Sequence, residues 1–144
     1  MKADRDEGRS VRILLAEDNS ADVWLIEEAL RRQSLVFQLD HYLTAAGAVD
    51  AVKKCGVNGS PIPRLLLLDY NLPGGQGLEI LAAAAANPNL IGVPKAILSS
   101  FLRPSELEDA IRMGASCFIA KPASLTDFLR DVGATVVDLL KHDS

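Results

Sequence analysis

Five short apolar bursts punctuate the 144-residue chain at nearly even intervals: Val11–Ala16, Phe37–Leu43, Leu65–Asp69, Lys95–Ser99 and Cys117–Ala120. With their ends taken at residues 16, 42, 69, 99 and 120, the spacings are 26, 27, 30 and 21 residues. One strand, one helix and their turns consume about that much chain, so the pattern predicts repeated βα units and a parallel sheet. The run Leu65-Leu66-Leu67-Leu68 is apolar without alternation, as expected of a central strand covered on both faces.

The intervening segments carry helix punctuation. Asn19 or Ser20 is placed to cap a first helix running to about Gln33, with Leu25, Ile26, Ala29 and Leu30 as its apolar stripe. A second helix is expected over about Ala45–Cys55, with Gly47 inside it, followed by a loop over Gly56–Pro63. Pro73-Gly74-Gly75 is turn chemistry ahead of a third helix, about Gln76–Ala86, which Asn87-Pro88 ends. Ser105 with Glu108 fits a capping box for the fourth helix and Gly114 its stop; Ser124 with Asp127 repeats the box for the last.

Composition narrows the function classes. Fifteen basic and 19 acidic residues leave a net charge of −4, which disfavours a sequence-independent grip on nucleic acid. Hydrophobic residues at 49% and charged ones at 24% are globular proportions. Cys55 and Cys117 lack metal-site or redox-motif spacing, which fits a reduced cytoplasmic setting. The first ten residues are mostly charged or small and lack the apolar stretch of a secretion signal, and no run is long and apolar enough for a membrane helix. Residues 1–10 therefore read as a charged extension and residues 11–144 as a single domain, with no DNA-binding or catalytic output module expected.

Chemistry collects at the strand ends. The first strand runs into Glu17-Asp18, the third ends in Asp69, the fourth in Ser99 and Ser100, and the fifth in Lys121-Pro122. Open parallel sheets bind ligands beyond the carboxyl ends of their strands, so side-by-side strands bring these groups to one edge. Three converging carboxylates repel one another and call for a cation, and Mg²⁺, with its preference for oxygen ligands, is the natural one. Such a site can receive a phosphoryl group. The metal and Lys121 screen the incoming oxygens, Ser99 donates a hydrogen bond, and Asp69 is the best-placed nucleophile. Each residue alone is bland, since an Asp at a strand end is usually a turn former and a Lys before Pro is usually solvated. The joint placement is what points to chemistry.

Glu17-Asp18, Asp69-Tyr70-Asn71-Leu72-Pro73, Ser99 and Lys121-Pro122, at these spacings, resemble the receiver domain of bacterial two-component response regulators. The resemblance covers about Val11 to Leu140. It implies a flavodoxin-like (βα)5 fold with strand order 2-1-3-4-5. It also implies that Asp69 is phosphorylated from a phosphohistidine on a sensor histidine kinase or a histidine phosphotransfer protein. Glu17, Asp18 and Asp69 would arrange Mg²⁺ with the backbone carbonyl of Asn71, Lys121 would contact the phosphate, and Ser99 would serve as the switch hydroxyl. Phe118 occupies the aromatic switch position, without the hydroxyl of the tyrosine common there. The run from Glu17 to Leu30 and the long loop before Leu65 are also similar to single-domain regulators that accompany phytochrome-type kinases. That similarity implies a light-sensing kinase as partner and homodimers through the fourth and fifth helices.

The expected role is a phosphoacceptor signalling domain, not a turnover enzyme. Its output would pass to a downstream protein through the surface around the fourth helix, fifth strand and fifth helix. A phosphate sink or relay intermediate is the alternative, and an interaction-only receiver a further one. A haloacid-dehalogenase-type hydrolase would need an Asp where Asn71 stands. A nucleotide-binding fold would need glycines where Glu17-Asp18-Asn19 stands. His41 and His142 are isolated and read as structural or solvated.

Overall fold

A computed structural model describes residues 10–141, so the expected extension over residues 1–10, apart from Ser10, and His142 lie outside the described residues. Five strands form one parallel sheet: β1 (Val11–Ala16), β2 (Phe37–Tyr42), β3 (Leu65–Asp69), β4 (Lys95–Ser99) and β5 (Cys117–Ala120). Their spatial order is 2-1-3-4-5, as expected. Five helices alternate with them: α1 (Ser20–Arg32), α2 (Ala45–Lys54), α3 (Gly77–Ala85), α4 (Pro104–Arg112) and α5 (Leu125–Lys141).

The strand period of two divides the core into two layers. Ile13, Leu15, Leu65, Leu67, Ala96 and Leu98 pack with Ile26 and Leu30 of α1 and Phe128, Val132 and Val136 of α5. Leu14, Ala16, Leu66, Leu68 and Ile97 pack with Val52 of α2, Ile80 and Leu81 of α3 and Ala110 of α4. All five residues of β3 are buried, which is what its unbroken leucine run requires.

Several local expectations need correction. β2 stops at Tyr42, because Leu43 lies past the last paired residue and is exposed. The capping box expected from Ser105 and Glu108 does not form. α4 starts two residues earlier than a Ser105 cap would place it, with Pro104 at its first position, where the missing N–H costs nothing. The Arg103 N–H instead donates to Glu106 Oε1 at 2.9 Å. At α5, Ser124 Oγ accepts the Asp127 N–H at 3.3 Å, while the Asp127 carboxylate turns to Arg130. The turn before α3 is a small antiparallel hairpin, Asn71–Leu72 against Gly75–Gln76, with Gly74 in left-handed conformation at φ 77°. Within the loop over residues 56–63, Val57–Gly59 make one 3₁₀ turn.

The edge of the sheet where the strands begin is tied by buried polar side chains. Asn87 Nδ2 donates to the carbonyls of Val52 and Cys55 at 2.9 and 3.0 Å, closing the end of α2. Lys95 Nζ donates to the carbonyls of Leu90 and Val93, both at 2.7 Å. Burial pushes the Lys95 pKa down from the usual lysine value.

α1 and α5 pack closely because position 133 is glycine. A Cβ there would stand 2.8 Å from the Ala29 carbonyl oxygen, on backbone that cannot swing away. Gly133→Ala is therefore expected to destabilise the fold by about 1–3 kcal/mol, the range for overpacking, despite alanine's better helix propensity. Urea unfolding measures it, and an unchanged midpoint contradicts the packing account.

Candidate functional site

The register of the sheet sets which side chains meet. Ala16 pairs with Leu68, Asp69 with Leu98 and Ser99 with Ala120, so the carboxyl ends of β1, β3, β4 and β5 finish on one rim. A cleft of about 450 Å³ opens there, lined by Glu17, Asp18, Asp69, Asn71, Ser99 and Lys121 among others. Each of those six was expected at the site from sequence. Among the described residues, Glu17, Asp18 and Asp69 bring carboxylate oxygens within 4.8 Å of one another.

Local backbone structure holds each group. Asn19 caps α1 by accepting the Ala21 and Asp22 N–H groups at 2.9 and 3.1 Å, which fixes the turn carrying Glu17 and Asp18. The Asn19 N–H in turn donates to Glu17 Oε2 at 3.2 Å. His41 Nε2 lies 2.7 Å from the Glu17 carbonyl oxygen, tying the neighbouring strand to the same turn. Asp69 Oδ1 accepts the Asn71 N–H at 3.2 Å. Behind it, the Gly77 N–H donates to the Tyr70 carbonyl at 2.8 Å, and a Cβ at Gly77 would stand 2.7 Å from the Asp69 carbonyl oxygen. Glycine at this position lets α3 begin directly against the acceptor strand.

Lys121 reaches in from the end of β5 and touches three carboxylates. Its Nζ lies 2.7 Å from Glu17 Oε1, 3.1 Å from Asp22 Oδ2 and 3.2 Å from Asp69 Oδ2. Burial pulls the Lys121 pKa down, but hydrogen bonding and charge from Glu17, then Asp69 and Asp22, override it and hold the ammonium well above its usual range. Glu17 is wholly buried. Burial, reinforced by its hydrogen bond with Asp69, pushes its pKa up to about 7, with Lys121 opposing. The main cause is loss of water around the carboxylate, with the neighbouring Asp69 charge adding a smaller push in the same direction. Three carboxylate donors within 4.8 Å of one another suit a hard divalent cation, so the residues present fit the expected metal.

Ser99 is buried, and its hydroxyl is turned toward its own loop. It donates to the Phe101 carbonyl at 2.8 Å and accepts the Phe101 N–H at 3.2 Å. Phe118 is half-buried and packs against the core layer of α2, α3 and α4. Among the contacts that the sequence did not point to is that of Asp22 with Lys121. Its position in the first turn of α1 reads as an ordinary partner for the helix dipole, and Lys121 lies 99 residues away.

Comparison with known proteins places the chain in one family. The model of the response regulator receiver domain matches residues 13–132. Response regulator Rcp1 of Synechocystis sp. is 31% identical over 121 residues, 83% of this chain and 82% of that one. The crystal structure of the phosphorylated cyanobacterial phytochrome response regulator RcpA superposes with a TM-score of 0.81 at 30% identity, covering 92% of this chain and 96% of that one. The Mn²⁺-bound form of Rcp1 gives a TM-score of 0.80 at 29% identity, covering 91% and 95%. With fold, strand order and family match in agreement, the chain belongs to the response regulator receiver domain family of two-component signalling.

Proposed function

We propose that Asp69 accepts a phosphoryl group from a phosphohistidine of a sensor kinase, and that the modified domain signals through its own surface. The observation that carries this reading is the contact of Lys121 Nζ with Asp69 at 3.2 Å, beside the acidic triad and on the open rim. A carboxylate oxygen of Asp69 attacks phosphorus as the P–N bond of the phosphohistidine breaks. The electron pair leaves on the imidazole nitrogen, and a P–O bond completes an acyl phosphate. Lys121 offers an N–H and a positive charge to the phosphoryl oxygens, stabilising charge where it accumulates. Glu17, Asp18 and Asp69, with the Asn71 backbone carbonyl, would hold Mg²⁺, which when bound supplies further neutralisation of the phosphoryl oxygens.

The signal leaves through residues already attached to this rim. The modification adds about one negative charge to Asp69. Ser99 then exchanges its Phe101 contacts for a phosphoryl oxygen, drawing in the segment that leads to α4. Phe118 repacks beside it, so the face formed by α4, β5 and α5 presents a new surface to a downstream protein or a second copy of the chain. In this reading residues 11–144 form the receiver unit, residues 1–10 a charged extension, and the protein works in the cytoplasm. Among the described residues no helix is long and apolar enough to cross a membrane. The likeness to Rcp1 and RcpA supports a phytochrome-type kinase as the phosphoryl source.

Incubation with Mg²⁺ and acetyl phosphate is the direct test. The expected result is an acid-labile mass increase of about 80 Da, one phosphoryl group, on the peptide containing Asp69. Chelating the metal with EDTA is expected to suppress it. An unmodified protein, or an acid-stable adduct on another residue, overturns the reading.

A further inference from the structure

We propose that Asp22, a carboxylate outside the acidic triad, is a positioning residue that holds the Lys121 ammonium from the helix side and keeps it clear of the cation. This rests on the reading of Asp69 as the acceptor. An ammonium has three N–H donors, and Lys121 meets three carboxylate oxygens from three segments: the end of β1, the first turn of α1 and the end of β3. Two of those partners, Glu17 and Asp69, belong to the oxygen cluster that suits a divalent ion. A cation there competes with Lys121 for both and repels it. Asp22 is outside that cluster, so it is the acceptor left to the lysine alone.

The surroundings make the contact more than a surface ion pair. The side chains of Lys121 and Asp22 are 10% and 23% exposed, so the pair is largely withdrawn from water. Asp22 is fixed from both ends. Its N–H is held by Asn19 Oδ1, and α1 is packed on α5 through the close approach at Gly133. Asp22 and Lys121 also line both the acceptor cleft and an adjoining groove of about 460 Å³ bounded by Leu25, Pro122, Leu125 and Phe128. With Ser100, which lines both as well, the pair forms the partition between the two. Held on that partition, the ammonium keeps one N–H directed at Asp69, where a phosphoryl oxygen would arrive. Without Asp22 its only carboxylate partners are Glu17 and Asp69, and it competes with the cation for both.

The consequence is a loss of metal affinity caused by removing a residue that touches no metal, and transmitted through Lys121. In calorimetric titrations with Mg²⁺ alone, Asp22→Asn is expected to weaken binding by about 3–10-fold, and Asp22→Glu to restore most of it. In a Lys121→Met background the same Asp22→Asn change is expected to shift affinity by less than about 2-fold, because the intermediary is gone. A purely long-range charge effect would weaken binding equally in both backgrounds, and that result overturns the proposal. So does wild-type affinity in Asp22→Asn. A metal-free readout accompanies these. The Lys121 Nζ resonance in ¹H–¹⁵N spectra, visible only while its protons are held from exchange, is expected to broaden in Asp22→Asn, and a signal as sharp as in wild type counts against the proposal. Neither measurement uses a phosphoryl donor, so failure here is distinct from failure to form the acid-labile adduct on Asp69.

Discussion

Asp69→Asn is expected to abolish the acid-labile adduct while leaving the fold standing. Asparagine keeps the shape of the side chain and its oxygen can still accept the Asn71 N–H, which lies 3.2 Å from Asp69 Oδ1. It loses the anionic oxygen that attacks phosphorus, and an amide is too poor a nucleophile to replace it. Loss of an essential nucleophile costs on the order of 10³–10⁶-fold in rate, which places the remaining adduct below detection. Stability should move little or rise, because the substitution removes one of the like charges that push Glu17 upward. Mass spectrometry after acetyl phosphate treatment, paired with a thermal melt, separates the two effects. A folded Asp69→Asn protein that still gains an acid-labile phosphoryl group refutes the acceptor assignment.

The second large effect is a pH dependence that Mg²⁺ should cancel. Glu17 rises from 4.5 to about 7 on folding, so between those values the folded protein binds more protons than the unfolded chain. Stability then falls as pH climbs through that window. The shift corresponds to at most about 3–4 kcal/mol, or roughly 10 °C in Tm for a domain of this size. Asp131 acts in the opposite direction, since its ion pair with Arg130 lowers its pKa from 3.8, but it does so below this window. A bound divalent cation favours the ionised carboxylate, so Mg²⁺ should stabilise the protein more at pH 8 than at pH 5 and flatten the slope. Thermal melts in EDTA and in Mg²⁺ at both values decide it. A melting temperature in EDTA that rises across this range rules out a strained Glu17.

What the sequence made legible follows from how far each signal reaches. Strand positions were readable because apolar runs report burial locally, and β3 shows its central place in four consecutive leucines. The rim was readable because topology carries strand ends to a common edge without any side-chain detail. The cap of α4 was misread because Ser105 and Pro104 offer competing signals, and proline at the first helical position prevailed. The hairpin at residues 71–76 is two pairs long, too short for any periodicity. Asp22 could not be assigned to Lys121, because a helix-first-turn aspartate has the same local pattern with or without a partner 99 residues on. Its one available clue is the excess of acid over base around a lone lysine.

The buried ties from Asn87 and Lys95 to the carbonyls of Val52, Cys55, Leu90 and Val93 make the molecule mechanically one-sided. Neutral donors and a desolvated ammonium clamp the floor with bonds that no change of charge at Asp69 can reach. At the opposite rim a single ammonium is shared among three carboxylates, so its balance of contacts responds to charge. In the proposed phosphorylated state, rearrangement is therefore expected in the upper loops, with the floor as their fixed anchor.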